Sequence, residues 1–172
     1  VVAGGSLVGV IAGETIGLVQ AGSFSQATVG TGLAVTINDS LTNNAAGNYT
    51  LTQPTGLTAN ITPKELTVTG TTVANKTYDG GTTATVTGGT LVGKVGSDVV
   101  NLTQAGSFAQ ASVGSGIAVT IADTISGAAS ANYYLTQPTG LSADITAKAL
   151  TVSGTTVANK TYDGTTTALI SG

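Results

Sequence analysis

The densest chemistry in this chain lies in one short motif, Lys76-Thr77-Tyr78-Asp79-Gly80, which returns as Lys160-Thr161-Tyr162-Asp163-Gly164. An amine, a phenol and a carboxylate within four residues support two chemistries. One is a turn, in which the aspartate accepts backbone amides, the glycine takes a positive φ, and the tyrosine lays its ring on a sheet with its hydroxyl at the edge. The other is a cross-link between Lys76 and an acid or amide, as in β domains stiffened by isopeptide bonds. That reaction needs a buried acid beside the lysine to move protons. Asp39/Asp123 and Asp79/Asp163 are the aspartates carried in both copies, and neither pair can be placed against Lys76 from sequence. The turn is the expected role.

The remaining polar clusters are weaker. Asn38-Asp39-Ser40 and Asp98 offer oxygens to calcium, but a calcium site takes six to eight ligands and no D-x-D-x-D-G pattern is present. Asn38, Asn48, Asn60, Asn75, Asn101 and Asn159 each open an Asn-x-Thr/Ser sequon, as a threonine-rich chain generates by chance. The threonines do not follow the strict short period of an ice-binding face. Histidine, cysteine, methionine and tryptophan are absent, and the five basic residues are all lysine. Triads built on imidazole or thiol, and metal sites of the usual nitrogen and sulfur ligands, therefore cannot be assembled. No catalytic, metal-binding or cofactor-binding residue is assigned, and the chain is expected not to be an enzyme. A net charge of -3 without arginine lacks the phosphate-neutralising surface of a nucleic-acid binder. No apolar run approaches the roughly 20 residues of a spanning helix, so membrane insertion is not expected. An export signal, if the parent protein has one, is expected outside this segment.

The elements that must position these residues are set by repetition. Thr71 to Gly80 recurs letter for letter at Thr155 to Gly164, and Leu51 to Leu57 recurs at Leu135 to Leu141. The offset is 84 residues without insertion, and about 54 of the 88 overlapping positions are identical. Leu33/Ile117, Leu41/Ile125 and Ile11/Val95 exchange aliphatic residues, as core positions do. Asn43/Gly127, Thr50/Tyr134, Glu65/Ala149 and Val10/Lys94 change character and read as surface. If Lys-x-Leu-Thr-Val opens a module, residues 1–62 are a repeat lacking its opening hairpin, 63–146 a complete repeat, and 147–172 the opening segment of the next.

Within one period the apolar residues alternate. Leu66 and Val68, Val100 and Leu102, Ile117, Val119 and Ile121, and Leu141, Ala143 and Ile145 each skip a polar or small neighbour. Period-two alternation between glycine-rich turns predicts half-buried antiparallel strands. Only residues 126–131 read as a helical turn. The fold class is all-β: tandem small antiparallel modules with an 84-residue period, an Ig-like sandwich being expected and a β-grasp-like arrangement the alternative.

The KTYDG motif, with Gln104-Ala105-Gly106-Ser107-Phe108, Asn132-Tyr133-Tyr134-Leu135-Thr136 and Ile145-Thr146-Ala147-Lys148-Ala149-Leu150-Thr151-Val152, resembles the YDG-type repeat domains of large bacterial secreted and surface proteins. The likeness extends over almost the whole chain and is similar to repeats in filamentous-haemagglutinin-like adhesins. It implies an extracellular or cell-surface stalk or filament segment, acting as a spacer and assembly module, with no catalytic residues. Ala147 departs from it, standing where the first copy has Pro63. The expected partners are neighbouring repeats, or copies of the chain joined head to tail with 147–172 completing a 1–62 body. The alternative is a carbohydrate or host-surface binding module, with Tyr49, Tyr133 and Tyr134 exposed to stack on a sugar.

Overall fold

The computed structural model describes residues 2–43 and 46–172. Among them the chain is all-β, with two single-turn 3-10 segments, Ala46–Asn48 and Ser130–Asn132. Two compact units form, and the chain passes repeatedly from one to the other.

The first unit takes the chain up to Thr69, with Thr90–Thr103 and Asp123–Gln137. Lys64–Thr69 is the middle strand of a three-stranded sheet, antiparallel to Thr90–Val92 and parallel to Tyr133–Thr136. Leu66 has no solvent exposure and packs with Val100 and Tyr133, flanked by Leu91, Ile125 and Leu135. Asn101–Thr103 pairs with Thr124–Ser126 beside this cluster. The turn after Val92 needs a glycine. Gly93 has φ +108, and a β-carbon there would lie 2.8 Å from the Glu65 carbonyl oxygen.

The first repeat lies in the same unit. Gly22–Phe24, Gly30–Ile37 and Thr58–Ile61 form one antiparallel sheet, and Gly17–Val19 pairs with Ser40–Thr42. Ile37 is its one buried hydrophobic residue among those described.

The second unit takes Gly70–Gly89, Gln104–Ala122 and Pro138–Gly172. Its five-stranded sheet runs Lys76–Thr77, Ser142–Thr146, Gly114–Ile121, Gly106–Phe108, Thr83–Ala84. Ile117, Val119 and Ile121 face inward from the long strand, and Phe108, Ala143 and Ile145 close over them. Thr72–Val73 pairs with Val86–Thr87, and Val73 leans on the same cluster. Residues 147–155 form no strand, and the hairpin Thr156–Val157 with Ile170–Ser171 follows.

The predicted alternation holds in Leu66, Ile117 to Ile121 and Ala143 to Ile145. Two expectations need correction. Ile11 and Val95 are not core: both are more than half exposed, because they sit in a loop whose backbone, not its side chains, is held. Pairing is also not purely antiparallel. Tyr133–Thr136 with Lys64–Thr69, and Ile145–Thr146 with Lys76–Thr77, are parallel ladders. Their partners lie about 70 residues apart in sequence, the long crossover that parallel pairing requires.

Candidate functional site, the joint between repeats

The KTYDG segment is a braced turn. The Lys76 ammonium lies 2.7 Å from the Asp79 carboxylate and donates to the Gly81 carbonyl at 2.8 Å. It also sits 5.8 Å from the centre of the Phe108 ring. The Gly81 amide donates to Asp79 at 2.9 Å, which closes the turn. Lys76 and this amide hold the Asp79 carboxyl below its ordinary value, the lysine contact being the larger cause. The turn is fixed to the sheet by two bonds. The Asp144 amide donates to Asn75 at 2.8 Å, and the Tyr78 amide donates to the Thr146 carbonyl at 2.8 Å. The aspartate is well exposed and its partner is an ion-paired lysine, so the arrangement is that of a turn. Lys160 and Asp163 repeat it at 2.9 Å.

The other singled-out residues are spread over separate structural tasks. Asp39 accepts the Ala21 amide at 3.0 Å and exchanges two hydrogen bonds with the Gln53 side chain. Gln137 makes the same exchange with the Asp123 backbone. Asp98 accepts the Tyr133 hydroxyl at 2.5 Å, and that hydroxyl accepts the Val95 amide at 2.9 Å. Tyr49 repeats this with Glu14 and the Ile11 amide. Donation to a carboxylate holds both phenols above the ordinary tyrosine value of 10.0. The sequon residue Asn60 accepts the Gly32 amide, as Asp144 accepts that of Gly116. No group of three or more acidic residues converges among the described residues. The exposed three-tyrosine face is not formed either. Tyr133 is buried and Tyr49 half-buried, because each ring must cover its repeat for its hydroxyl to reach the loop below; only Tyr134 of the three is exposed.

What the structure does bring together is the junction of the two repeats. Thr58–Ile61 leads through Thr62 and Pro63 directly into Lys64–Thr69, leaving two residues between strands. Beside this crossing, the Val29 amide of the first repeat donates to the Asn132 side-chain carbonyl of the second, at 3.0 Å in a half-buried setting. Asn132 ends the Ser130–Asn132 turn, whose amides are held by Gly127 and Ala129 carbonyls. A cleft of about 360 Å³ lies at the joint between Ala27–Val29, Ile61–Lys64 and the Tyr133–Asp98 pair. The joint is thus a two-residue crossing with a lateral hydrogen bond, unlike a flexible glycine–serine linker. Asn132 opens one of the motifs quoted above, but nothing in the sequence ties it to Val29. Both recur one period away, as Val113 and Asn48, but 103 residues separate the bonded pair.

The YDG domain family model matches residues 1–56 and 62–140, and the chain belongs to that family. No curated protein and no solved structure matches it.

Proposed function

We propose that this member of the YDG domain family is a structural segment of an extracellular bacterial adhesin-like repeat protein, a spacer and assembly module of a stalk or filament. One observation carries the reading: consecutive repeats are joined by only two residues between strands and by the Val29–Asn132 bond. A spacer works by resisting bending at its joints, and here backbone continuity is reinforced from the side. The tandem repetition, and acidic and tyrosine side chains committed to bracing loops, fit the same role.

The test is a distance measurement across the joint. The chain has no cysteine, so Thr31→Cys and Ser97→Cys place two spin labels, one on each repeat, without competing thiols. A single narrow distance distribution is expected, broadened by Asn132→Ala. A broad distribution in the parent chain would count against a spacer. Cell-surface placement is tested separately, by labelling intact bacteria that make the parent protein with an antibody to this segment.

A further inference from the structure

The repeat from Lys64 to Thr146 has chain on both sides, so tension along the polypeptide enters it at Lys64 and leaves it at Thr146. Terminal strands at sheet edges would be stripped off by such a pull, but neither strand is at an edge. Lys64–Thr69 lies between Thr90–Val92 and Tyr133–Thr136 in the first unit, and Ser142–Thr146 lies between Lys76–Thr77 and Gly114–Ile121 in the second. Among the described residues the largest fully buried side chains are Leu66 and Ile145, one on each of these strands. Leu66 is packed by Val100 and Tyr133, and Ile145 belongs to the cluster of Phe108, Ile117 and Val119.

The direction of the ladders decides what tension does. In an antiparallel pair, the start of one strand lies beside the end of the other, so pulling on those two points opens the bonds one after another. In a parallel pair they lie at opposite ends, so the same pull slides the strands past each other and loads every bond together. Both terminal strands of this repeat have a parallel partner. Lys64–Thr69 pairs with Tyr133–Thr136 from Lys64–Tyr133 to Thr67–Thr136, and the Thr136 hydroxyl donates to the Glu65 carboxylate across the ladder. That partner runs on through residues 137–141 into the exit strand Ser142–Thr146. The exit strand pairs with Lys76–Thr77, which the entry strand reaches through residues 70–75. The pull therefore arrives at opposite ends of each ladder.

The exit ladder is the shorter one, and the KTYDG segment reinforces it. Beyond the Ile145–Lys76 and Thr146–Thr77 pairs, the Asn75 side chain accepts the Asp144 amide and the Thr146 carbonyl accepts the Tyr78 amide, both at 2.8 Å. The Lys76 ammonium, besides its contact with Asp79, donates to the Gly81 and Thr83 carbonyls at 2.8 and 3.3 Å. Thr83–Ala84 is the opposite edge of the same five-stranded sheet. The lysine thus ties the edge strand on which the exit strand pulls to the far edge of its sheet.

We propose that the repeat 64–146 is a tension-bearing clamp. Load enters and leaves through two interior strands, each plugged by a fully buried aliphatic side chain and each sheared against a parallel partner. The KTYDG segment is the anchor of the exit strand, and the lysine–aspartate turn keeps that anchor from being drawn out of the sheet. The inference rests on the spacer reading for the source of the load, but it concerns the interior of one repeat and not the joint between repeats.

The test is force spectroscopy on the 172-residue chain, held in optical tweezers by handles on paired cysteines, which the cysteine-free chain accepts at chosen sites. Ala74→Cys with Ala147→Cys draws the exit strand along Lys76–Thr77, and Ala74→Cys with Thr139→Cys opens the same ladder from one end. All three positions are exposed. At one loading rate the first pair should rupture at about twice the force of the second or more, because its bonds share the load and forced unfolding follows the unfolding rate. Thr62→Cys with Ala147→Cys loads both ladders along the chain and should also exceed the second pair. Lys76→Met keeps the aliphatic stem near Phe108 and removes the ammonium, so it should lower the first force with the circular dichroism unchanged. Asp79→Asn, at a well-exposed carboxylate, is the milder variant of the same turn and should act in the same direction. Equal forces in the two geometries would overturn the clamp, and a first force indifferent to both variants would overturn the role given to the turn. Equal forces with a narrow label distance across the joint would refute the clamp alone. Unequal forces with a broad distance would uphold the clamp and refute the spacer reading.

Discussion

Leu66 and Leu150 provide a matched experiment inside one polypeptide. Both sit in Lys-x-Leu-Thr-Val, one period apart, but Leu66 has no exposure and Leu150 is 91% exposed. Replacing Leu66 by alanine removes three carbons from a site packed by Val100 and Tyr133, with Leu91, Ile125 and Leu135 around it. At about 0.8 kcal/mol per methylene-sized group the transfer loss is about 2.4 kcal/mol. Leu91, Tyr133 and Leu135 are strand residues held by the two ladders of Lys64–Thr69, and Ile125 by a third, so they relax little and the cavity raises the cost to about 3–5 kcal/mol. Leu150→Ala loses no packing in the single copy and should change stability by less than about 0.5 kcal/mol. Urea titration of dilute protein gives the difference, and amide exchange in Lys64–Thr69 and Asn101–Thr103 localises it. A cost on the order of 3–5 kcal/mol is a large part of the stability of a small domain, so exchange there should approach that of an open strand. Equal small losses for the two variants would show that Leu66 does not organise the repeat. Equal large losses in dilute solution would show that the tail is packed within its own chain, against the burial described above.

Further outcomes follow from the loops. Tyr133→Phe leaves the Val95 amide and the Asp98 carboxylate without their shared partner, so it should lower the urea midpoint more than Tyr49→Phe does at the less buried site. Both phenols titrate above 10.0 in the folded chain, so their contribution is complete below pH 10 and is lost as pH rises from there through the folded value; their ionisation, followed by tyrosine absorbance, should begin at higher pH in the folded chain than in the same chain unfolded in urea. Asp79 is held below 3.8, so its stabilisation of the turn is present above that pH and disappears as pH falls through the folded value, which the exchange rate of the Gly81 amide would report. Gly88→Ala forces a side chain into φ +80 and sets its β-carbon 2.6 Å from the Gly70 carbonyl oxygen; a loss exceeding about 1 kcal/mol is expected in thermal unfolding.

The strands of the complete repeat were legible because a period of two, punctuated by glycine, leaves few alternatives. Ile117, Val119 and Ile121 point inward as their spacing requires. Exposure was misread where a residue's partner is remote. Tyr133 is buried because its hydroxyl bridges Val95 and Asp98, 38 and 35 residues upstream, and nothing local marks that bridge. The lateral bond of the joint escaped for the same reason, Val29 and Asn132 being 103 residues apart until folding sets them 3.0 Å from each other.

The tail separates the two kinds of information directly. Residues 156–171 reproduce the hairpin register and the lysine–aspartate turn of 72–87 although their side chains are exposed. Those features rest on neighbours within about 16 residues, and the local sequence alone determines them. Residues 148–153 repeat the sequence pattern of Lys64–Thr69 and form no strand. A strand has no hydrogen bonds of its own, so Leu66 is buried only because Leu91 and Leu135 reach it from 25 and 69 residues away. Whether that stretch becomes the centre of a sheet or an exposed ribbon was decided by tertiary structure, through the partners it finds.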